Sequence, residues 1–162
     1  MTELILSQDC FKEACFDLQF RKDVKHNRPK NPTYYRWKAQ FVILLNKEET
    51  ELLKKIKTGL GCGRIHLSKD KARYSVQNID NLYNIIIPLF KQYQLPENKK
   101  KDFGLWSKAL KIIYRNKGKS LLKWKKKDFQ RLIELQKLAQ RYKEKSRSSK
   151  WISIAESLAE TL

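Results

Sequence analysis

The polar positions of several alternating segments are the first residues of this sequence that could do chemistry. In residues 15–24, in residues 34–45 and across the hairpin-like stretch 64–77, apolar and polar side chains alternate, which is the period of half-buried strands. The polar positions carry mainly basic, amide and hydroxyl side chains: Gln19, Arg21, Arg36, Lys38, Gln40, Arg64, His66, Ser68, Arg73, Ser75 and Gln77. Arg and Lys match the acceptor edge of guanine, and Gln can pair with adenine through two hydrogen bonds. A sheet face of this composition predicts contact with duplex DNA in the major groove.

The charge balance also indicates a polyanionic partner. The chain has 162 residues, and 36 Lys and Arg against 17 Asp and Glu give a net charge of +19. Such self-repulsion opposes the compact state, so nucleic acid is the first candidate partner and an anionic membrane surface the second. A merely solvated sheet face is the alternative, but such a face usually mixes both signs. No apolar run is long enough for a spanning helix and no signal segment opens the chain, so we expect an intracellular protein (in the cytoplasm or nucleoid, or in an organelle if organelle-encoded).

Conventional catalytic and metal-binding patterns are missing from the sequence. Cys10, Cys15 and Cys62 form no CxxC pair and the two histidines lie far apart, so a zinc site is not predicted and the cysteines are interpreted as small buried hydrophobes. Neither a phosphate-binding loop nor a Gly-rich dinucleotide motif is present. One isolated acid, Glu13, lies where a first helical segment would give way to the first strand. There its carboxylate could reach the end of the polar strand face.

The order of predicted elements defines an α+β fold. Asn46 and Glu49 have the spacing of a capping box before an amphipathic helix, and a second helical stretch over residues 79–92 contains Pro88. After the predicted loop "QLPENKKK" the pattern is entirely helical. The order is ββα-ββα with helices appended. We expect a core at residues 1–116 and, within the same domain, a basic helical extension at 117–162, whose residues 143–150 resemble a linker.

The middle of the chain resembles one known family. The phrase "LLKKIKTGLGCGRIHLSKDKARYSVQNIDNLYNIIIPLFKQYQL" is similar to the central part of LAGLIDADG homing endonucleases, and "NKKKDFGLWSKALKII" resembles the helix that follows it there. The resemblance covers roughly residues 5–116. It implies a four-stranded antiparallel saddle sheet that binds double-stranded DNA.

The resemblance also implies a site. Aligning "EACFDLQF" with the family's first strand places Glu13 on its metal-binding carboxylate, so the metal site, for Mg²⁺ or another divalent cation, would lie at Glu13 and Ala14. By the same alignment Lys99 is the basic residue near the scissile phosphate, with Lys100 and Lys101 as competitors. Because the motif occurs once, the resemblance implies a homodimer that cuts a long, nearly palindromic site.

Departures from the motif keep two other hypotheses open. Phe11 stands in place of an acid, Gln8 and Lys12 stand in place of small residues, and Leu45 or Asn46 ends the second strand where the family often has a water-positioning polar residue. These departures favour a binding protein of the same fold without cleavage, such as an intron maturase or a repressor, for which intron RNA is a further candidate partner. A basic RNA- or ribosome-associated protein is the third hypothesis.

Overall fold

Four strands form one sheet in the computed structural model, which describes residues 13–22, 35–140 and 150–161. They are β1 (Ala14–Lys22), β2 (Tyr35–Asn46), β3 (Arg64–Leu67) and β4 (Lys71–Val76), in the order β1-β2-β4-β3. β4 pairs antiparallel with both β2 and β3. The predicted α+β class is confirmed, since helices alternate with the strand pairs and continue after them.

The described helices follow the predicted order. They are α1 (Thr50–Leu60), α2 (Ile79–Asn81), α3 (Ile87–Gln92), α4 (Glu97–Arg115), α5 (Lys126–Gln140) and α6 (Lys150–Thr161). Short 3-10 turns lie at Lys47–Glu49 and Leu121–Lys123. Within the described ranges, no helix is long and apolar enough to cross a bilayer.

The chain divides into two compact units. Among the described residues, the first unit holds 13–17 and 40–95, and the second holds 18–22, 35–39, 96–140 and 150–161. Strands β1 and β2 therefore each contribute one end to each unit. The predicted boundary after residue 116 falls inside the second unit, between α4 and α5.

Aromatic rings form the centre of the first unit. The Phe16 ring lies 5.6 Å from that of Phe41 and meets Phe90 edge-on at 5.1 Å. The rings of Phe41 and Phe90 are 5.2 Å apart. The alternating pattern explains this packing, because every second residue of β1 and β2 must point to the same side. Leu53 and Ile56 of α1 are fully buried in the same unit.

The turn that leads into β3 is shaped by two glycines and one tyrosine. Gly61 ends α1 in the left-handed conformation (φ 71°), and its N–H donates to the Lys57 carbonyl at 2.9 Å. Gly63 has φ 96°, and a Cβ there would lie 2.4 Å from the Tyr74 ring. The Tyr74 hydroxyl donates to the Cys62 carbonyl at 2.8 Å. Burial chiefly, with a contribution from Cys62, raises the pKa of Tyr74 well above its usual range.

Pro88 neither ends nor interrupts the second helical stretch. A π-helical segment, Leu82–Ile86, joins α2 to α3, and Pro88 lies in the first turn of α3. In a regular α-helix the proline ring would clash with the carbonyl four residues earlier, and the wider π turn occupies this position instead. The predicted extent, 79–92, is confirmed.

A second aromatic cluster lies in the second unit. Phe20 stacks on Tyr35 with ring centroids 5.6 Å apart and contacts Trp37 at 5.0 Å. Phe129 of α5 meets Phe20 and Trp37 edge-on at 5.5 and 5.6 Å, and its ring lies 6.5 Å from that of Trp124. These contacts bring the distant ends of β1, β2 and α5 into one core.

Side-chain hydrogen bonds and an ion pair connect the end of α4 to α5 in the same unit. The Asp128 carboxylate accepts hydrogen bonds from Arg115 at 2.7 Å and from the Asn116 amide at 3.1 Å. Burial by itself raises the pKa of Asp128, but these hydrogen bonds and the Arg115 charge outweigh it and hold the pKa below its usual range.

Candidate active site and nucleic-acid interface

Glu13 is the candidate catalytic carboxylate, and the structure places it directly before β1. Its side chain is exposed, while the following Ala14 is completely buried at the start of the strand. The start of the strand at buried Ala14 therefore places Glu13 at the end of β1. Residues 8, 11 and 12 of the predicted motif lie outside the described residues, as does Cys10.

Glu13 by itself does not make a complete metal site. Within the described parts of the chain, no group of three His, Cys, Asp or Glu residues could hold an ion. A carboxylate oxygen is nevertheless the donor that Mg²⁺ prefers, and Mg²⁺ usually binds one or two carboxylates together with water and phosphate oxygens. The residues present thus fit a site in which one carboxylate of this chain is completed by other oxygen donors.

The three lysines predicted near the phosphate lie in a helix. The polar sequence "ENKKK" was predicted as a loop, but α4 begins at Glu97, and the Lys100 N–H donates to the Pro96 carbonyl at 2.8 Å. Lys101 lies 3.8 Å from the Glu97 carboxylate, one turn away. Lys99 is half-buried in this first part of α4, which belongs to the second unit.

Strand register places the predicted reading residues of the first unit side by side. Arg64 of β3 pairs with Ser75, and His66 pairs with Arg73. Arg64, His66 and Ser68 are exposed, and so is Gln77, whereas Arg73 and Ser75 are half-buried. The structure therefore brings these six side chains to one face of the β3–β4 hairpin and its end.

The same face is less polar on β2. Val42 lies opposite Ser75 and Leu44 lies opposite Arg73, and Leu44 is 45% exposed. At the end of β2, Leu45 is buried, while the exposed Asn46 side chain accepts a hydrogen bond from Lys71 at 2.8 Å. Of the two residues considered for the water-positioning role, Asn46 is thus the one that presents a polar group.

Gln40 does not have the exposed position that strand alternation predicted for it. Its side chain is only 6% exposed, and its amide nitrogen donates to the Asp17 carboxylate at 2.7 Å. Its amide oxygen accepts from Arg73 at 3.4 Å and from Gln77 at 3.2 Å. Asp17 was not among the predicted site residues; an acid at a polar strand position among basic and amide residues was the available signal for this network.

The remaining predicted reading residues belong to the second unit. Gln19, Arg36 and Lys38 are half-buried and Arg21 is exposed, on the strand positions that alternate with the aromatic cluster. An exposed basic segment follows in the loop between α4 and α5 and its junction with α5, formed by Lys117, Lys119, Lys123, Lys125, Lys126 and Lys127. These lysines could contact phosphates without reading sequence.

Comparison with known proteins points to one family. The family model described as LAGLIDADG endonuclease matches residues 13–110. A probable intron-encoded endonuclease 2 of Neurospora crassa is 34% identical over 98 residues, which cover 57% of this chain and 22% of that protein. The chain thus spans about a fifth of the length of that curated relative.

Solved structures show the same fold. I-SmaMI bound to uncleaved DNA in the presence of calcium ions matches 93% of this chain and 47% of its own, with a TM-score of 0.69 and 21% identity. I-CpaMI bound to uncleaved DNA matches 95% of this chain and 48% of its own, with a TM-score of 0.70 and 26% identity. The homing endonuclease I-TnaI matches 95% of this chain and 98% of its own, with a TM-score of 0.71 and 16% identity.

The order of strands and helices, with a basic strand face, defines a protein of the LAGLIDADG type. Because the family model matches more than half of its residues, the chain belongs to the LAGLIDADG endonuclease family. The family predicted from the middle of the sequence is confirmed.

Proposed function

We propose that this chain is a site-specific double-stranded DNA endonuclease that acts as a homodimer and requires Mg²⁺ or another divalent cation. The observation that carries the proposal is the position of Glu13. It is an exposed carboxylate directly before β1, and the family match begins with this residue. The DNA-bound states of I-SmaMI and I-CpaMI support duplex DNA as the partner.

In this proposal Glu13 and the backbone at Ala14 hold the ion. When bound, the ion supplies Lewis acidity and lowers the pKa of water at the scissile phosphate. Lys99 provides positive charge for the developing oxyanion, and Lys100 and Lys101 are its competitors for that role. Each chain offers one such carboxylate, so cutting two strands calls for two copies related by a two-fold axis.

Sequence reading is assigned to the strand faces. Arg64, His66, Ser68, Arg73, Ser75 and Gln77 of the first unit contact base edges, as do Gln19, Arg21, Arg36 and Lys38 of the second. The buried Gln40 does not contact DNA directly and instead supports Arg73 and Gln77 through hydrogen bonds. Exposed lysines between α4 and α5 add affinity that does not depend on sequence.

A cleavage assay with matched variants tests the proposal. The wild-type protein and Glu13→Gln are incubated with a library of duplex sites and Mg²⁺. Glu51→Gln serves as the control, because Glu51 is an exposed carboxylate of α1 paired with Lys54 at 2.8 Å. We expect cleavage in the wild type and in Glu51→Gln, and none in Glu13→Gln. Retarded mobility without cleavage in all three proteins would end the nuclease proposal.

The second candidate is a catalytically inactive binding protein, an intron maturase or a repressor. It is favoured by Phe11 and Lys12, which replace an acid and a small residue of the motif. The same protein preparations are then offered structured intron RNA and duplex DNA in competition. A preference for structured RNA supports the maturase, and sequence-specific DNA binding without cleavage supports the repressor.

A further inference from the structure

The network of Gln40 with three neighbouring side chains has a fixed hydrogen-bond polarity. A carboxylate only accepts hydrogen bonds and a guanidinium only donates them, whereas a Gln amide does one with each end. Gln40 lies between the Asp17 carboxylate, 2.7 Å from its amide nitrogen, and the Arg73 guanidinium, 3.4 Å from its amide oxygen. Only one orientation of the Gln40 amide therefore satisfies both neighbours.

The fixed amide in turn orients Gln77. With the Gln40 oxygen directed toward it, Gln77 has to offer its own amide nitrogen, and the two atoms are 3.2 Å apart. The exposed Gln77 then directs its amide oxygen, an acceptor, away from Gln40 and keeps one further N–H. Arg73 has the remaining N–H groups of its two terminal nitrogens, since its Nε is buried. The buried carboxylate thus favours the Gln40 orientation to which both outer side chains are hydrogen-bonded.

We propose that Asp17 is a positioning residue for sequence reading: through Gln40 it orients Arg73 and Gln77 toward DNA bases. The proposal deepens the proposed function and rests on it. Arg73 presents donors suited to the O6 and N7 acceptors of guanine, and Gln77 presents an acceptor suited to the amino group of adenine or cytosine. Asp17 itself is 1% exposed and acts without touching DNA.

Burial makes this arrangement effective. Asp17 and Gln40 are both buried, so water does not compete for their hydrogen bond, and the amide cannot turn without leaving a buried polar atom unpaired. If Asp17 becomes Asn, the residue at position 17 can donate as well as accept and no longer selects one end of the Gln40 amide, so that only the donors of Arg73 and Gln77 still favour the original orientation. The turned orientation then costs less free energy, and Gln40 holds Arg73 and Gln77 less firmly, although the volume of the side chains is nearly unchanged.

The test compares base preference in three proteins. The wild type, Asp17→Asn and the swap variant Asp17→Asn/Gln40→Glu bind a randomised duplex library without divalent metal, and the bound duplexes are sequenced. In the swap variant, the new amide at position 17 donates to the new carboxylate at position 40, which again accepts from Arg73 and Gln77. We expect Asp17→Asn to lose about tenfold in discrimination at the base pairs read by these two residues. The swap variant should recover most of it, and affinity for random DNA should stay unchanged.

The outcomes separate a failure of the positioning role of Asp17 from a failure of the proposed function. Full base preference in Asp17→Asn overturns the positioning role, and so does a folded swap variant that does not recover the preference. If Asp17→Asn does not fold, as judged by circular dichroism, the swap variant alone decides by the same criterion. A wild-type protein without any base preference instead overturns the proposed function, and this inference with it. Glu51→Gln controls for the loss of one negative charge.

Discussion

Gly63→Ala tests whether the Tyr74 ring closes the space beside the turn into β3. The added Cβ would lie 2.4 Å from Cε2 and 2.6 Å from Cζ and the hydroxyl oxygen of Tyr74. The ring is fully buried and its hydroxyl is hydrogen-bonded to the Cys62 carbonyl, so moving the ring would cost packing and a hydrogen bond. Something in the packed hairpin must shift to admit one methyl group.

The expected cost combines two effects. An L-residue at φ 96° costs about 1–2 kcal/mol, as for left-handed conformations generally. Overpacking in a closed site costs about 1–3 kcal/mol. We therefore expect Gly63→Ala to lower the free energy of unfolding by about 3 kcal/mol, or to lower Tm by about 6–12 °C for a chain of this size.

Gly61→Ala is the matched control for backbone strain. Gly61 also has positive φ, 71°, but nothing lies within 4 Å of a Cβ built there. We expect this variant to lose only about 1 kcal/mol. Urea unfolding followed by far-ultraviolet circular dichroism measures both variants. Equal losses in the two variants would refute the role assigned to the Tyr74 ring, as would a Gly63→Ala protein as stable as the wild type.

Three further predictions concern stability. Burial raises the pKa of Tyr74 above its ordinary 10.0. The contribution of the neutral hydroxyl to the free energy of unfolding is therefore complete below pH 10 and is lost as the pH rises further. In unfolding titrations at alkaline pH, Tyr74→Phe should lose less stability than the wild type. The pKa of Asp128 lies below its ordinary 3.8, so the contacts from Arg115 and Asn116 stabilise the fold above that pH. Asp128→Asn should therefore cost about 1 kcal/mol at neutral pH, and the difference from wild type should vanish in acid. Gly104→Ala, inside α4 with open space around the new Cβ, should add about 0.5–1 kcal/mol in urea unfolding.

Strand alternation predicted the faces of the sheet well. It placed Phe16 and Phe41 on the apolar side and Arg64 and His66 on the other, because side-chain direction in a strand follows directly from position. Alternation does not predict which polar positions are covered by their neighbours. Gln40 was expected to be exposed, but it is buried and bonded to Asp17 of β1, Arg73 of β4 and Gln77 directly after β4.

The start of α4 shows a second limit of sequence reading. Apolar periodicity begins only at Phe103, whereas the helix begins six residues earlier at Glu97. Its first turns carry charged residues that give no periodic signal, and Lys101 lies near Glu97 one turn back. Pro96 before the first helical residue was the available indication, since proline is common at helix starts. The function of Lys99 as a phosphate-contacting residue stays a prediction.

The division of the chain has a consequence for its synthesis on the ribosome. Every described residue of the first unit has been translated once Leu95 is added, so its aromatic centre of Phe16, Phe41 and Phe90 can close early. In the second unit, Phe20 contacts Phe129, a residue made more than a hundred positions later. The ends of β1 and β2 in that unit cannot pack until α5 has emerged from the ribosome, and their apolar side chains stay exposed until then. Nascent chains stalled before residue 129 should therefore hold a folded first unit beside an aromatic segment that is sensitive to proteases and to chaperone capture.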